Sequence, residues 1–542
     1  GEDFPAHSPG RSCRNLNVSS CFLVRLPTSL WHIASMNLQS FPLSAPDDRR
    51  PAQRSIDWKS LALVAVIAFV NAAAFQGARG LYETTEGRYA ECARETMLSG
   101  DWDDPVLDGH PHWSKPPLTY AAIMAGTRLC GDSPWGVRAY LVAAMVLAAA
   151  AVWGTGVSIW GPAAGRWAGV VFATSPAIAV AAHSVSADML VGLWTALAFA
   201  AFWRSRAAHS PWAALATWMI AGLAALTKGP PALLVPVATL GCAALLLRRT
   251  GSWRPPAWTA GLGIVLFLAI GCGWFADEAF EHPGLLAYWF GHEQIARNDT
   301  AEFNRNPGFA FVFTAYVPLL LLGTGPWLAY VWVHWRKSPG SWPWRRPFPH
   351  TWNGAARWAL LTGILVPFLV FACSRSRLAA YLTPLFVPLP LLLGRGLDLL
   401  LARGRIHART AHRLAFALLF SIIALKALAA LPDLAVDMTR LANRLEPILA
   451  REPALRLVSI GHRPLHGLKF HLKREIPFLA PELFASRPPL ASPGEAQALY
   501  LVRTKDWPQL AAHAGTDAHA LALGPHWVGI RFGSVSKAVD DE

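Results

Sequence analysis

From residue 58 to residue 431 the chain alternates between apolar runs of membrane-crossing length and short polar stretches. Runs at 58–76, 136–155, 166–182, 187–203, 213–227, 230–247, 257–275, 309–333, 357–373, 380–394 and 413–431 each predict a spanning helix. The physical basis is length, since about 20 apolar residues in helical form match the hydrocarbon core of a bilayer. That pattern predicts about eleven spans, and twelve or thirteen if a short one is hidden. The segment "PLTYAAIMAGTRLCG" (117–131) is too short to cross and predicts a helix lying at the interface. Beyond residue 431 the pattern changes. "LRLVSIGH" (455–462) and "QALYLVRT" (497–504) predict short buried strands. The expected fold class is therefore an α-helical polytopic membrane protein with a small C-terminal α/β domain.

Composition agrees with this class and removes a rival. Only 15% of the 542 residues are charged, against roughly 25% in soluble globular domains. The net charge of +14 invites nucleic acid as a partner, but the basic residues form no single face. They fall in short clusters between apolar runs, such as "RRTGSWR" (248–254) and "WRKSPGSWPWRR" (335–346). This is the positive-inside pattern of cytoplasmic loops, and nucleic acid is not expected as a partner.

The charge pattern also predicts sidedness. With the basic 49–59 segment inside, the first span exits into a loop, 77–115, that holds eight acidic residues against four basic ones. The 276–308 loop carries six against two and is expected on the same outer side. The domains read as a 1–57 cytoplasmic lead, a 58–431 membrane domain with outer loops 77–135 and 276–308, and a 432–542 outer domain. Residues 1–35, which precede the first methionine at Met36, read as lying upstream of the natural start. Among the seven cysteines there is no CxxC pair, so a zinc ribbon or thioredoxin motif is not offered. A disulfide between Cys92 and Cys130, both in the first outer loop, stays an open option.

The polar features that could carry chemistry gather on that outer side. Asp188 stands at the start of an apolar helix, where an ionisable group is a functional candidate by default; the alternative is a helix N-cap. Lys115, ahead of two prolines, suits a lipid phosphate or plain snorkelling. Arg375 and Arg377 suit bidentate phosphate contacts. His292 beside Glu293 leaves a divalent metal open, with no other cofactor implied. The acids of the first loop, Glu83, Glu86, Glu91 and Glu95, belong to the same outer group.

Six motifs then resemble, in order, the membrane glycosyltransferases of the GT-C class. They are "ETTEGRYAECARETMLSGDW", "WSKPPLTYAAIMAG", "SVSADMLVGLW", "LTKGP", "HPGLLAYWFGHEQIARND" with "NRNPGF", and "SRSRLAAYLTPLFVPL". The resemblance spans about residues 58–400. It is closest to the ArnT-like aminoarabinose transferases that modify lipid A and to their protein mannosyltransferase relatives. It implies a polyprenyl-phosphate sugar donor, transfer at the periplasmic face of the bacterial inner membrane, and two juxtamembrane helices in the first outer loop. Matching positions assign Glu86, Asp188 and Glu83 to catalysis, and Arg88, Tyr89, Lys115, Lys228, Arg375, Arg377 and Tyr381 to substrate. His292 would be the metal ligand. Two departures stand out: the family's Asp-Glu pair reads Thr85-Glu86 here, and its Glu-Lys-Pro reads Ser114-Lys115-Pro116.

The expected reaction is a single displacement with inversion at the anomeric carbon. Lys115, Arg375 and Arg377 would steady the departing phosphate, and Glu86 would act as base if the acceptor is a hydroxyl. The acceptor expected is lipid A or another periplasmic molecule, with membrane lipids as surroundings. The alternatives are transfer to protein or glycan by the same fold, or a transporter or flippase of lipid-linked sugars. A transport path would spread polar residues through the bilayer.

Overall fold

A computed structural model describes residues 57–289, 291, 306–337, 351–486, 498–514 and 518–532. Nearly every apolar run is a helix. The first is α1 (Trp58–Ala73), followed in the loop region by α2 (Thr85–Ser99), the short hairpin β1 (Val106–Leu107) and β2 (His110–Pro111), and α3 (Leu118–Cys130). Next come α4 (Pro134–Trp160), α5 (Pro162–Ala173), α6 (Pro176–Ala181), α7 (Asp188–Ala207), α8 (Pro211–Lys228), α9 (Leu234–Leu247) and α10 (Ala257–Glu281). The bent pair α11 (Val317–Leu322) and α12 (Pro326–Arg336), then α13 (Trp352–Cys373), α14 (Pro388–Ala402) and α15 (Ala408–Ala429), complete the helical part.

Local chemistry sets the helix starts. Ser133, Ser210 and Thr351 each accept a hydrogen bond from the backbone N–H three residues on, and proline opens α4 and α8 where its missing N–H is harmless. Small residues set the closest crossings. A Cβ on Gly394 of α14 would lie 2.4 Å from the Ala168 backbone nitrogen in α5, so only glycine permits that approach. The outer faces carry exposed Val66, Phe69, Leu245, Val265, Phe416 and Phe420. Such a girdle suits lipid rather than water.

Among the described residues, five helices are long and apolar enough to cross a membrane, or up to seven if each of two bent pairs is one span. The other four apolar runs are helical as well, but short (α1), broken (α5 and α6) or charged at one end (α7 and α8). The expectation of eleven to thirteen spans rests on them. The chain is a multi-pass membrane protein. The 117–131 segment forms α3, which at 13 residues is about 20 Å long and too short to cross.

The C-terminal part begins with α16 (Met438–Arg451). It contains β3 (Arg456–Ile460), α17 (His466–Leu472), β4 (Phe478–Leu479), α18 (Pro481–Ser486), β5 (Ala498–Arg503), α19 (Trp507–Ala514), β6 (Ala518–Ala522) and β7 (Trp527–Phe532). Both strands expected from sequence are present and pair in parallel, with Leu457 opposite Leu499. The five-stranded sheet has the order β4-β3-β5-β7-β6, with β7 antiparallel to its neighbours.

This domain sits on the first loop. The Asp437 carboxylate accepts from Gly80 N–H at 3.2 Å. Lys469 and His466 of α17 reach Asp108 at 2.6 and 2.9 Å. The hydrogen bond from His466, with that from Lys469, holds Asp108 well below the usual carboxylate range against the opposing effect of burial. Cys92 and Cys130 are both free thiols, so the disulfide option is not taken.

Candidate active site

Glu86 lies near the start of α2 and is 5% exposed. Its Oε2 accepts from Arg79 at 2.6 Å and from Arg138 at 2.8 Å. Oε1 accepts from Arg79 Nη2 at 2.8 Å and from Val185 N–H at 2.9 Å, and the Tyr82 N–H reaches Oε2 at 3.1 Å. Burial alone would raise the carboxyl pKa, but the two guanidiniums overcome it and bring it down to about 2. Arg138, fully buried in α4, also donates to the carbonyls of Gln76, Arg79 and Gly80. Glu86 therefore ties four segments together: the loop after α1, the start of α2, α4, and the loop before α7. A carboxylate so saturated and so acidic is a poor proton acceptor at neutral pH. Its geometry is that of a structural clamp.

Glu83, three residues earlier, has the opposite environment. Its Oε1 accepts the Gly467 N–H from α17, while Oε2 is buried with no hydrogen-bond partner. Burial pushes its pKa up to about 7, although Gly467, His466, Arg88 and Arg503 pull the other way. Arg88 also acts electrostatically on Tyr89, whose hydroxyl is pushed above its usual range first by burial and then by Asp188. The Tyr89 ring packs 5.5 Å from that of Tyr120.

Asp188 opens α7 and Lys228 closes α8. Their side chains form an ion pair, so the carboxylate is spent on a cation rather than on an N-cap; the residue before the helix, Ala187, makes no cap bond. The Lys228 ammonium also stands 4.8 Å from the centre of the Tyr381 ring. Asp188, Lys228, Tyr381 and Lys115 line one cavity of about 580 Å³. Ser376 lines it too, and its buried Oγ has no hydrogen-bond partner. The remaining wall is largely apolar, from α9 and the end of α13.

Lys115 and Lys228 face a second cavity as well, of about 510 Å³. Its wall is a greasy groove that includes Trp113, Phe267, Phe275, Phe280 and Trp289. Two ammonium groups thus stand where two cavities meet, one holding the Asp188, Tyr381 and Ser376 side chains in a largely apolar wall and the other an apolar channel. That arrangement suits an amphiphile with an anionic group beside a hydrocarbon tail.

The two arginines of the "SRSR" loop part company. Arg377 is buried and donates to the backbone carbonyls of Ala372, Asn306, Pro307 and Gly308. It pins the 306–308 segment to the end of α13 and is not a wall of either cavity, which corrects its assignment to phosphate. Arg375 is exposed and lines neither cavity. The serine between them, which the sequence reading passed over, is the residue that reaches the site. Arg138 was missed too. The signal available was a lone guanidinium inside an apolar run, which in a membrane helix calls for a buried partner.

His292 lies outside the described residues. Among those residues no group of three or more His, Cys, Asp or Glu side chains is arranged to hold a metal ion. Ser114, in the position where the resembling motif has glutamate, brings its Oγ to 2.7 Å from His112 Nε2.

Comparison with known proteins gives the same direction. Residues 114–274 match the family described as dolichyl-phosphate-mannose-protein mannosyltransferase. The undecaprenyl phosphate-alpha-4-amino-4-deoxy-L-arabinose arabinosyl transferase of Edwardsiella ictaluri is 29% identical over 62% of this chain and 58% of its own. That of Pseudomonas aeruginosa is 29% identical over 72% and 67%. The match with the Edwardsiella relative thus spans less than two thirds of that protein. The crystal structure of ArnT from Cupriavidus metallidurans bound to undecaprenyl phosphate superposes with a TM-score of 0.65 at 20% identity, covering 88% of this chain and 98% of that one. The resemblance to GT-C, ArnT-like glycosyltransferases is thus shown in sequence, and the fold is that of ArnT.

Proposed function

We propose that this protein is an inverting membrane glycosyltransferase. It takes a sugar from a polyprenyl-phosphate donor and passes it to lipid A at the periplasmic face of the bacterial inner membrane, the sugar being 4-amino-4-deoxy-L-arabinose. The observation that carries the reading is the meeting of the two cavities at Lys115 and Lys228. The apolar groove suits a prenyl tail, the two ammonium groups suit its phosphate, and Asp188, Ser376 and Tyr381 in the other cavity suit the sugar. The names of the Edwardsiella and Pseudomonas relatives supply the identity of donor and sugar.

In this reaction the bond between the anomeric carbon and the phosphate oxygen breaks, and its electron pair leaves with the phosphate. Lys115 and Lys228 steady the charge that develops there. Asp188 acts as a positioning residue that holds the Lys228 ammonium against the Tyr381 ring. The acceptor oxygen attacks from the opposite face. A lipid A phosphate is already ionised and needs orientation rather than a base, which accords with Glu86 and Asp188 both being committed to cations. Ser376 Oγ is the free hydroxyl in the chamber for a sugar hydroxyl or amine.

The test is transfer by the purified full chain, with undecaprenyl-phosphate aminoarabinose as donor and lipid A as acceptor, read by the mass of the product. The expected result is a modified lipid A, lost with Lys228→Ala. Folded protein that gives no such product overturns the lipid A reading. A mass gain on a periplasmic protein instead would move the acceptor to protein, as the name of the matching mannosyltransferase family suggests.

A further inference from the structure

A third cavity, of about 590 Å³, lies at the other end of the same helices. Asp188 opens α7 and Arg206 is near its close. Eighteen residues of helix separate them by about 27 Å, close to the roughly 30 Å of a hydrocarbon core. The cavity is therefore a membrane thickness away from the Lys115 and Lys228 chamber and takes no part in transfer.

Three arginines line it: Arg206, Arg248 and Arg254. No aspartate or glutamate does, and none of their guanidiniums forms an ion pair among the described residues. Arg206 is only 8% exposed. One of its terminal nitrogens donates to the Trp253 carbonyl at 3.2 Å, but its Nε is buried without a partner. Arg254 donates to the Arg248 carbonyl at 3.0 Å, which holds the turn after α9 so that the two stay together. A buried, partly orphaned guanidinium with two exposed cations beside it is costly unless an anion joins them.

The rest of the wall is apolar, with Phe202, Trp218, Val237 and Leu240. At the same end, Trp212 and Trp258 are exposed and their rings lie 6.3 Å apart, as tryptophans do at headgroup level. Cationic depth with apolar walls at that level fits a lipid better than a bare ion, which would strand its remaining hydration sites against hydrocarbon.

We infer that this cavity is a seat for an anionic phospholipid, its phosphate held by Arg206, Arg248 and Arg254 and its acyl chain laid between α7, α8, α9 and α10. The lipid would fasten the end of the helix bundle remote from the transfer site.

The experiment is native mass spectrometry of the full-length protein exchanged into mixtures of phosphatidylglycerol and phosphatidylethanolamine, beside R248A/R254A and R248K/R254K. Each basic side chain near a lipid phosphate is worth about fivefold in affinity. The wild type should therefore retain phosphatidylglycerol at least tenfold over phosphatidylethanolamine. The alanine pair should fall to near parity, and the lysine pair should keep most of the preference. Sugar transfer by the alanine pair reports that the bundle is folded. Equal retention of the two lipids by the wild type, or an unchanged preference in a folded alanine pair, would overturn the proposal. So would displacement of phosphatidylglycerol by millimolar inorganic phosphate, which would mark the site as one for the free ion.

Discussion

Glu86 and Asp188 are both acidic residues close to a helix start, both low in exposure, and both paired with a cation. They differ in what surrounds the pair. Glu86 meets two guanidiniums and two backbone N–H groups and is closed on every side. Asp188 meets one ammonium, and that ammonium looks into a cavity beside an aromatic ring. The first arrangement spends the charge on holding the fold. The second leaves it able to act on a molecule that enters. Burial and ion pairing alone do not mark a reactive carboxylate; the open side does.

The comparison can be broken most sharply at Glu86. Glu86→Ala strands two buried guanidiniums, a change expected to cost about 3–5 kcal/mol, and the protein should be recovered poorly or melt early in a thermal scan in detergent. Because its pKa is depressed, the stability it contributes is complete above the unfolded value of 4.5 and is lost as the pH falls toward about 2. A Glu86→Ala protein with wild-type melting and no activity would show that Glu86 reacts rather than clamps.

At Asp188 the expected effects are reversed. Asp188→Asn should lower the transfer rate about 10²–10³-fold, since Lys228 loses its anchor, while the melting temperature shifts little because the freed ammonium faces a cavity. A large loss of stability with full activity would put Asp188 in the same class as Glu86.

Glu83 sharpens the contrast from a third side, as a buried carboxylate without a cation of its own. Its raised pKa means that the folded state is penalised as the pH climbs from 4.5 to about 7, and by a constant amount above that. Glu83→Gln keeps an acceptor for Gly467 and removes the charge. It should stabilise the protein above pH 7 by up to about 3 kcal/mol and change nothing near pH 4. A melting gain that is equal at both pH values would mean that burial is not the cause. The smallest effect is expected at Cys130, an exposed free thiol, where Cys130→Ser should shift stability by less than about 0.5 kcal/mol.

Much of the architecture was legible in the chain. The apolar runs became helices close to their expected limits, with 230–247 and 257–275 falling within Pro230–Leu247 and Ala257–Glu281. The strands at 455–462 and 497–504 appeared as the short, largely buried strands their apolar runs predicted. Span length in lipid and side-chain period are local properties, and a sequence states them directly. The cavity group was half legible. Asp188, Lys115, Lys228 and Tyr381 do meet, while Arg377 turned inward to backbone carbonyls and Ser376 took the place expected of its neighbours.

The sequence by itself determined that this is a membrane chain, which segments are helical, and that its polar motifs resemble those of lipid-linked sugar transferases. Only the tertiary structure decided which charges are consumed in holding the fold. Whether Glu86 is a base or a clamp depends on Arg138, 52 residues away in the chain, and on the backbone of Val185, 99 away. Partnerships of that kind are made by packing. They carry no local signature, because the residues that complete them are neighbours in space alone.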